Sequence, residues 1–378
     1  MGNLAFLANG VAQASVGVVG ARLKPARPLI EFMSSGKAVA AVLSRAWRRS
    51  PPELEMPTKE LAGVAQSLVA SGAGALCWWR LRHGSAELPS GTREQVQAVY
   101  LHQAIHAAEH EREVAEVFKV LRSAGVEPIL IKGWAIGRLY PEAGLRPSGD
   151  IDLCIAPEQH EIAQGALNRP ENQRYWVDLE HDEITRFDRR SFEDLYQRSE
   201  LVALDGTQVR IVGPEDHLRL LCLHLLKHGA WRPLWLCDIG AALESRSPGF
   251  DWDHCLGRNK RRAKWVRCAI GLARRLLGAE LGDAPVADLP AWLPASVLEQ
   301  WNEPYSPNVP LITNDIIGHW REPSVLLEHL CKRWPNPIQA TVDADGDFDK
   351  TARLPFQLRH CLVRGMKLLQ HLPDMQRK

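Results

Sequence analysis

From Thr92 to Ala124, apolar residues recur at three- and four-residue steps: Val96, Val99, Tyr100, Ala104, Ala107, Val114, Val117, Phe118 and Leu121. Charged residues fill the positions between them, so the stretch predicts one long amphipathic helix. Gly125 stands just beyond it, where a left-handed residue ends a helix. A similar spacing runs through 58–83, with Leu61, Val64, Ala65 and Leu68, then Leu76, Trp79 and Leu81. Before it, residues 1–50 are rich in Ala, Gly and Val and stop at Ser50-Pro51-Pro52. They read as an extension or a loosely docked helix pair, with a boundary near 51–57.

After Gly125 the period changes. Glu127–Lys132 is a short apolar run that reads as a strand, ended by Gly133, with a short helix over Trp134–Tyr140. Pro141–Gly149 reads as a loop, Asp150–Ala156 as a second strand, Pro157–Asn168 as a helix and Tyr175–His181 as a third strand. A helix near 191–199 precedes a hairpin of Leu201–Leu204 and Gln208–Val212, turned by Asp205-Gly206. The rest is helical: Asp216–His228, Pro233–Leu243, Trp252–Leu277 and a final amphipathic helix over 356–371. The stretch 281–325 is rich in Pro and Trp and poorly periodic, and 340–350 is an acidic loop. The order of elements predicts an α+β chain, a small mixed sheet embedded between helical regions. Its expected divisions are an N-terminal extension (1–57), a helical region (58–125), a sheet core (126–213), a helical substrate and nucleotide lid (214–280) and a helical or irregular C-terminal region (281–378).

Composition narrows the functional classes. The 378 residues include 46 Lys and Arg against 45 Asp and Glu, a net charge of +1. No global field draws in long nucleic acid or an anionic membrane, so any basic site is local. No run of about 20 apolar residues is present for a membrane span. The N-terminus lacks the charged region that opens a signal peptide. Eight scattered cysteines form no Cys-x-x-Cys pair and read as buried thiols of a reducing, cytoplasmic protein. Thirteen tryptophans suggest large apolar contacts between helices and a stacking surface.

The chemistry concentrates in Ser148-Gly-Asp-Ile-Asp-Leu-Cys-Ile155. In a strand, Asp150 and Asp152 point to one face, their backbone positions about 6.5–7 Å apart. Carboxylates that close repel unless they face water or share a cation. A strand, a glycine turn, a helix, a polar loop and a second strand that opens Asp-x-Asp suit the holding of a nucleoside triphosphate. Gly133 lets backbone approach a phosphate, and Asp150 and Asp152 suit Mg²⁺ or Mn²⁺. Asp178 is the expected third carboxylate, with Glu180 on the same strand as the alternative; either could bind a second metal or take a proton from the acceptor. A glycosyltransferase or a haloacid-dehalogenase-type phosphatase carries Asp-x-Asp after an apolar strand. Here the apolar strand follows the motif.

Several motifs together resemble the nucleotidyltransferase superfamily of the polymerase-β type, and more narrowly its bacterial nucleotidyltransferase-family proteins. They are Leu130-Ile-Lys-Gly-Trp-Ala135, Leu139-Tyr-Pro141 and Arg146-Pro-Ser-Gly-Asp-Ile-Asp152. Downstream, Pro214-Glu-Asp216, Leu221–Gly229, Leu234–Ile239 and Asp251-Trp-Asp253 are similar to the helical half of that family. The resemblance covers about 58–280. It implies Asp150, Asp152 and Asp178 as catalytic metal ligands, Gly133 as the turn glycine, and Lys132, Arg146 and Ser148 as nucleotide contacts. It also implies a substrate pair, an NTP and a small-molecule or peptide acceptor, with pyrophosphate leaving. The chain departs from the wider superfamily where Gly133-Trp134 replaces a Gly-Gly or Gly-Ser pair.

Further residues lie in the helical half. Lys227, His228 and Asp238 could reach a substrate, while the ordinary reading is a surface lysine and a helix-cap or ion-paired aspartate. His224 and His228 stand four apart on a helix, but without a third ligand they read as packing or cleft lining rather than zinc ligands. Asp343, Asp345 and Asp347 read as a solvated loop. A nucleotide-binding scaffold without catalysis is the rival to the enzyme, and a metal-dependent glycosyltransferase a weaker one.

Overall fold

The computed structural model describes residues 35–180, 190–302 and 334–375. Five strands form one sheet in the order β3-β2-β1-β5-β4: β1 (Ile129–Leu130), β2 (Ile151–Cys154), β3 (Val177–Glu180), β4 (Glu200–Leu204) and β5 (Thr207–Ile211). β1 runs antiparallel to β2 and parallel to β5, β2 is parallel to β3, and β4–β5 is the predicted hairpin. Asp205 and Gly206, with φ of 43° and 72°, supply the two positive-φ positions that a tight hairpin turn needs. The expected third strand extended to His181, which lies outside the described residues.

The two faces of the sheet are distinguished by residue parity. Leu130, Ile151, Leu153, Val177, Leu179 and Ile211 share one face. The second half of α4 (Ser90–Ser123) covers it with Val114, Val117, Phe118 and Leu121, and α6 (His160–Leu167) adds Ala163 and Ala166. The opposite face carries Ile129, Ile131, Cys154 and Val212. There Phe192, Leu195 and Tyr196 of α7 (Phe192–Arg198) and Leu220 of α8 (Pro214–Lys227) pack. Asp152 belongs by parity to this second face, where the helical cover gives way to the site.

The helical core is formed by α1 (Ser35–Leu43), α2 (Thr58–Ala70), α3 (Gly74–Arg82), α8, α9 (Pro233–Glu244), α10 (Trp252–Leu256), α11 (Lys260–Leu277), α12 (Trp292–Gln300) and α13 (Pro337–Asp343). The segment expected to be an extension or a loosely docked helix pair contributes to this core from residue 38 onward. Ala38, Val39, Val42, Leu43, Ala46 and Trp47 are all buried there. Alanine and valine in an otherwise bland stretch carry little helical periodicity, yet they allow close helix packing. The expected continuous helix over 252–277 is two helices, broken at Gly257 with φ 64°. The acidic loop is helical as far as Asp343. Beyond it, the exposed Asp345 pairs with Arg261 and, at 2.7 Å, with Arg262, so this solvent-facing corner carries ion pairs as well. The long C-terminal helix is α14 (Leu354–Met375).

Among the described residues no helix is long and apolar enough to cross a membrane. The described cysteines are free thiols, buried except for half-buried Cys361; Cys331 lies outside the described residues.

The loop that leads to the site is tied to α4 through Gly144. Its φ is 85°, and a Cβ there would meet Ala104 N at 2.5 Å. Gly144→Ala therefore combines left-handed strain with a backbone clash. It is expected to cost at least ~2 kcal/mol, visible as a lower midpoint in chemical denaturation.

Candidate functional site

The site begins where β2 leaves its turn. Asp152 stands in register with Asp178 of the parallel neighbour β3, so their backbones are about 4.8 Å apart. Asp150 shares that face two residues earlier. Asp152 is buried, 6% exposed, whereas Asp150 and Asp178 are open to solvent. Burial raises the Asp152 carboxyl above its ordinary value, and the charges of Asp150 and Asp178 push the same way. Lys132, from the turn after β1, opposes them with its ammonium 3.1 Å from Asp152 Oδ1. Glu180 ends β3 in register with Cys154.

Gly133 makes that turn possible. Its φ of 59° and ψ of −115° suit glycine, and the position where a Cβ would sit faces Asp150 O at 3.4 Å and Ser148 Oγ at 3.5 Å. The turn thus lies directly against the segment that delivers Asp150. Gly133→Ala is expected to cost ~1–3 kcal/mol of backbone strain. The loss is read as a lower midpoint in chemical denaturation.

Arg146 does not point freely toward a ligand. Its guanidinium is bidentate to Asp238 of α9, with Nε 3.3 Å from each oxygen and Nη2 3.0 Å from Oδ2. It also donates to Pro147 O at 3.1 Å and to Ser148 Oγ at 3.2 Å. The Tyr140 hydroxyl donates to Asp238 Oδ1 at 2.8 Å. Asp238 is fully buried, which is the ion-paired reading of this residue. Burial alone would lower the Arg146 guanidinium, but the Asp238 charge raises it above its ordinary value. Burial and Asp238 both push the Tyr140 phenol upward. The pair fastens the Asp150 loop to the helical half.

Two site neighbours carried no sequence signal. Arg232, just before α9, donates from Nε to Ser71 O at 2.9 Å. Its guanidinium is lowered by burial and then by the charge of Arg146, while Asp238 and Asp150 raise it. His110 of α4 is buried, its Nε2 has no hydrogen-bond partner, and it titrates at about 4. Burial is the main cause, His106 and Arg146 add to it, and Asp150 opposes it. The arginine looks like any residue ahead of a Pro-led helix, and the histidine like one of many polar positions on α4. Lys227 and His228 close α8, and the His228 ring lies 4.5 Å from His224 and 5.3 Å from Trp235. This is the packing reading of the histidine pair.

His217 of α8, also buried with an unpartnered Nε2, is lowered to about 3 by burial and then by Arg138 and Arg146. An unfolded histidine titrates near 6.5, so below that pH the unfolded chain takes up protons that His217 and His110 refuse. Stability should be full above about pH 6.5 and fall as the pH drops toward about 3, where the folded rings titrate too. Denaturation midpoints at about pH 7.5 and about pH 5 test this, and His217→Gln should flatten the difference.

The residues present fit a hard divalent cation. All the donors are carboxylate oxygens, and the charges of Asp150 and Asp178 bear on Asp152 together, opposed by Lys132. As placed, however, no three His, Cys, Asp or Glu side chains among the described residues are close enough to hold one ion.

The sheet thus carries Asp150, Asp152 and Asp178 along one face, with the Gly133 turn and Lys132 beside them, and the helical half is fastened on through the buried Arg146–Asp238 pair. A family model described as an uncharacterised nucleotidyltransferase matches residues 63–278, more than half of the chain, and the chain belongs to that family. No curated protein and no solved structure matches it significantly. Family membership supports nucleotidyl transfer in general, with a nucleotide as substrate.

Proposed function

We propose that the protein moves a nucleotidyl group from an NTP to a hydroxyl on a small-molecule or peptide acceptor, with Mg²⁺ or Mn²⁺ as cofactor. The observation that carries this reading is the register of Asp152 with Asp178, with Asp150 on the same face and Lys132 and Gly133 at the neighbouring turn. Asp150 and Asp152, completed by Asp178, would hold the metal, which when bound neutralises phosphate charge. Lys132 turns from Asp152 to the triphosphate, and the side-chain-free backbone at Gly133 lets a phosphate approach. Arg146 acts through Asp238 and Ser148 to hold Asp150 in place. In the reaction the acceptor oxygen bonds to the α-phosphorus and the bond to the bridging oxygen of the β-phosphate breaks. Pyrophosphate leaves, and the acceptor proton passes to Asp178. The balanced charge of the whole chain fits a small acceptor better than long nucleic acid.

The test is incubation of the purified protein with each labelled NTP, Mg²⁺ and a metabolite pool, reading pyrophosphate and labelled product. A second reading, a nucleotide-binding scaffold, is favoured by one observation: Asp152 is already neutralised by Lys132, without a closed metal cage. Tight NTP binding with no pyrophosphate from any pool would select the scaffold.

A further inference from the structure

In Tyr175-Trp-Val-Asp-Leu179 the side chains alternate. Tyr175, Val177 and Leu179 pack against the α4 side of the sheet. Trp176 and Asp178 therefore share the opposite face with Asp150 and Asp152. Trp176 O accepts a hydrogen bond from Ile151 N at 2.9 Å, which extends the parallel ladder one residue beyond β3. Since Ile151 is level with Val177, Trp176 is level with Asp150.

Trp176 is 62% exposed, whereas Trp47, Trp78, Trp79, Trp265 and Trp301 are buried in the helical core. Its indole is open to solvent beside three carboxylates, an apolar plate with a polar tip on which a ligand can lie. Among the described residues no side chain stacks on it. The occupant follows from the order of the strands. Lys132 and Gly133 stand at the β1 end, the Asp-x-Asp pair in the middle, and Trp176 on the edge strand β3. An in-line displacement puts the entering oxygen opposite the leaving pyrophosphate. With the phosphates gripped at the β1 turn, the acceptor enters over β3.

We propose, resting on the nucleotidyl-transfer reading, that Trp176 is the acceptor platform and that the acceptor carries its hydroxyl on or beside a flat ring. The ring is either the C–H face of a sugar or an aromatic ring, and it lies on the indole while Asp178 receives the hydroxyl proton.

Pyrophosphate release is measured with Mg²⁺, the preferred NTP and three acceptor sets: pyranosides, aryl alcohols and phenols, and open-chain alcohols. One ring-bearing set should exceed the open-chain set by about tenfold or more in kcat/KM, and which set wins tells sugar from aromatic ring. Trp176→Ala should raise the acceptor KM about tenfold with little change in the NTP KM, and Trp176→Phe should restore most of it. Because the residue is exposed, the variants should keep the wild-type melting temperature. If wild-type protein turns over but Trp176→Ala leaves the acceptor KM unchanged, or raises the NTP KM instead, the platform is refuted while nucleotidyl transfer stands. If wild-type protein releases no pyrophosphate with any set, both readings fall together.

Discussion

Asp150→Asn should lower nucleotidyl transfer by at least ~10³-fold while leaving the melting temperature where it was. Asp150 is exposed, so the amide costs the fold little. It also shares a face with Asp152 and exerts its charge on it, so losing that charge weakens any cation held between them. Labelled-NTP turnover and a thermal melt on the same preparation give both numbers. Unchanged turnover would remove the metal role from this pair. Asp152→Asn is a poorer test, because Asp152 is buried and paired with Lys132, so the change confuses folding with chemistry.

Asp238→Ala should be the most destabilising single change near the site. It leaves the buried Arg146 guanidinium and the Tyr140 hydroxyl without their shared carboxylate. Removing one partner of a buried pair costs about 3–5 kcal/mol, read as a shift in the denaturation midpoint. The paired replacement Arg146→Met with Asp238→Leu should recover much of that stability, because apolar groups substitute well for a buried ion pair. It should still turn over poorly, since Ser148 and the Asp150 segment would have lost their anchor. Activity that returned along with stability would show that the pair merely fills space.

The helices could be read from periodicity, because a one-sided apolar stripe is a local property. The common face of Asp150 and Asp152 was legible for the same reason: strand parity needs no knowledge of the neighbours. What the sequence could not carry was long-range. Nothing near Arg146 says that its counter-charge lies ninety-two residues on, and nothing near His110 says that it will be buried beside Asp150. The break at Gly257 was hidden because helical spacing continues on both sides of it. Residues 38–47 read as peripheral because small side chains write a weak pattern, though small side chains are what a crowded helix junction needs.

The way α1 is held has a further consequence. Gly36 N donates to Asn302 Oδ1 at 2.8 Å, and Arg45 N and Ser44 Oγ donate to Leu277 O at 3.1 and 3.2 Å. A ribosome adds roughly 5–20 residues per second, so this early helix emerges roughly 10–50 seconds before Leu277 and Asn302 exist, while α2 and α3 follow it closely. During that interval the side of it that meets the later helices is open to chaperones and to neighbouring nascent chains, and slowing translation late in the message would lengthen the exposure.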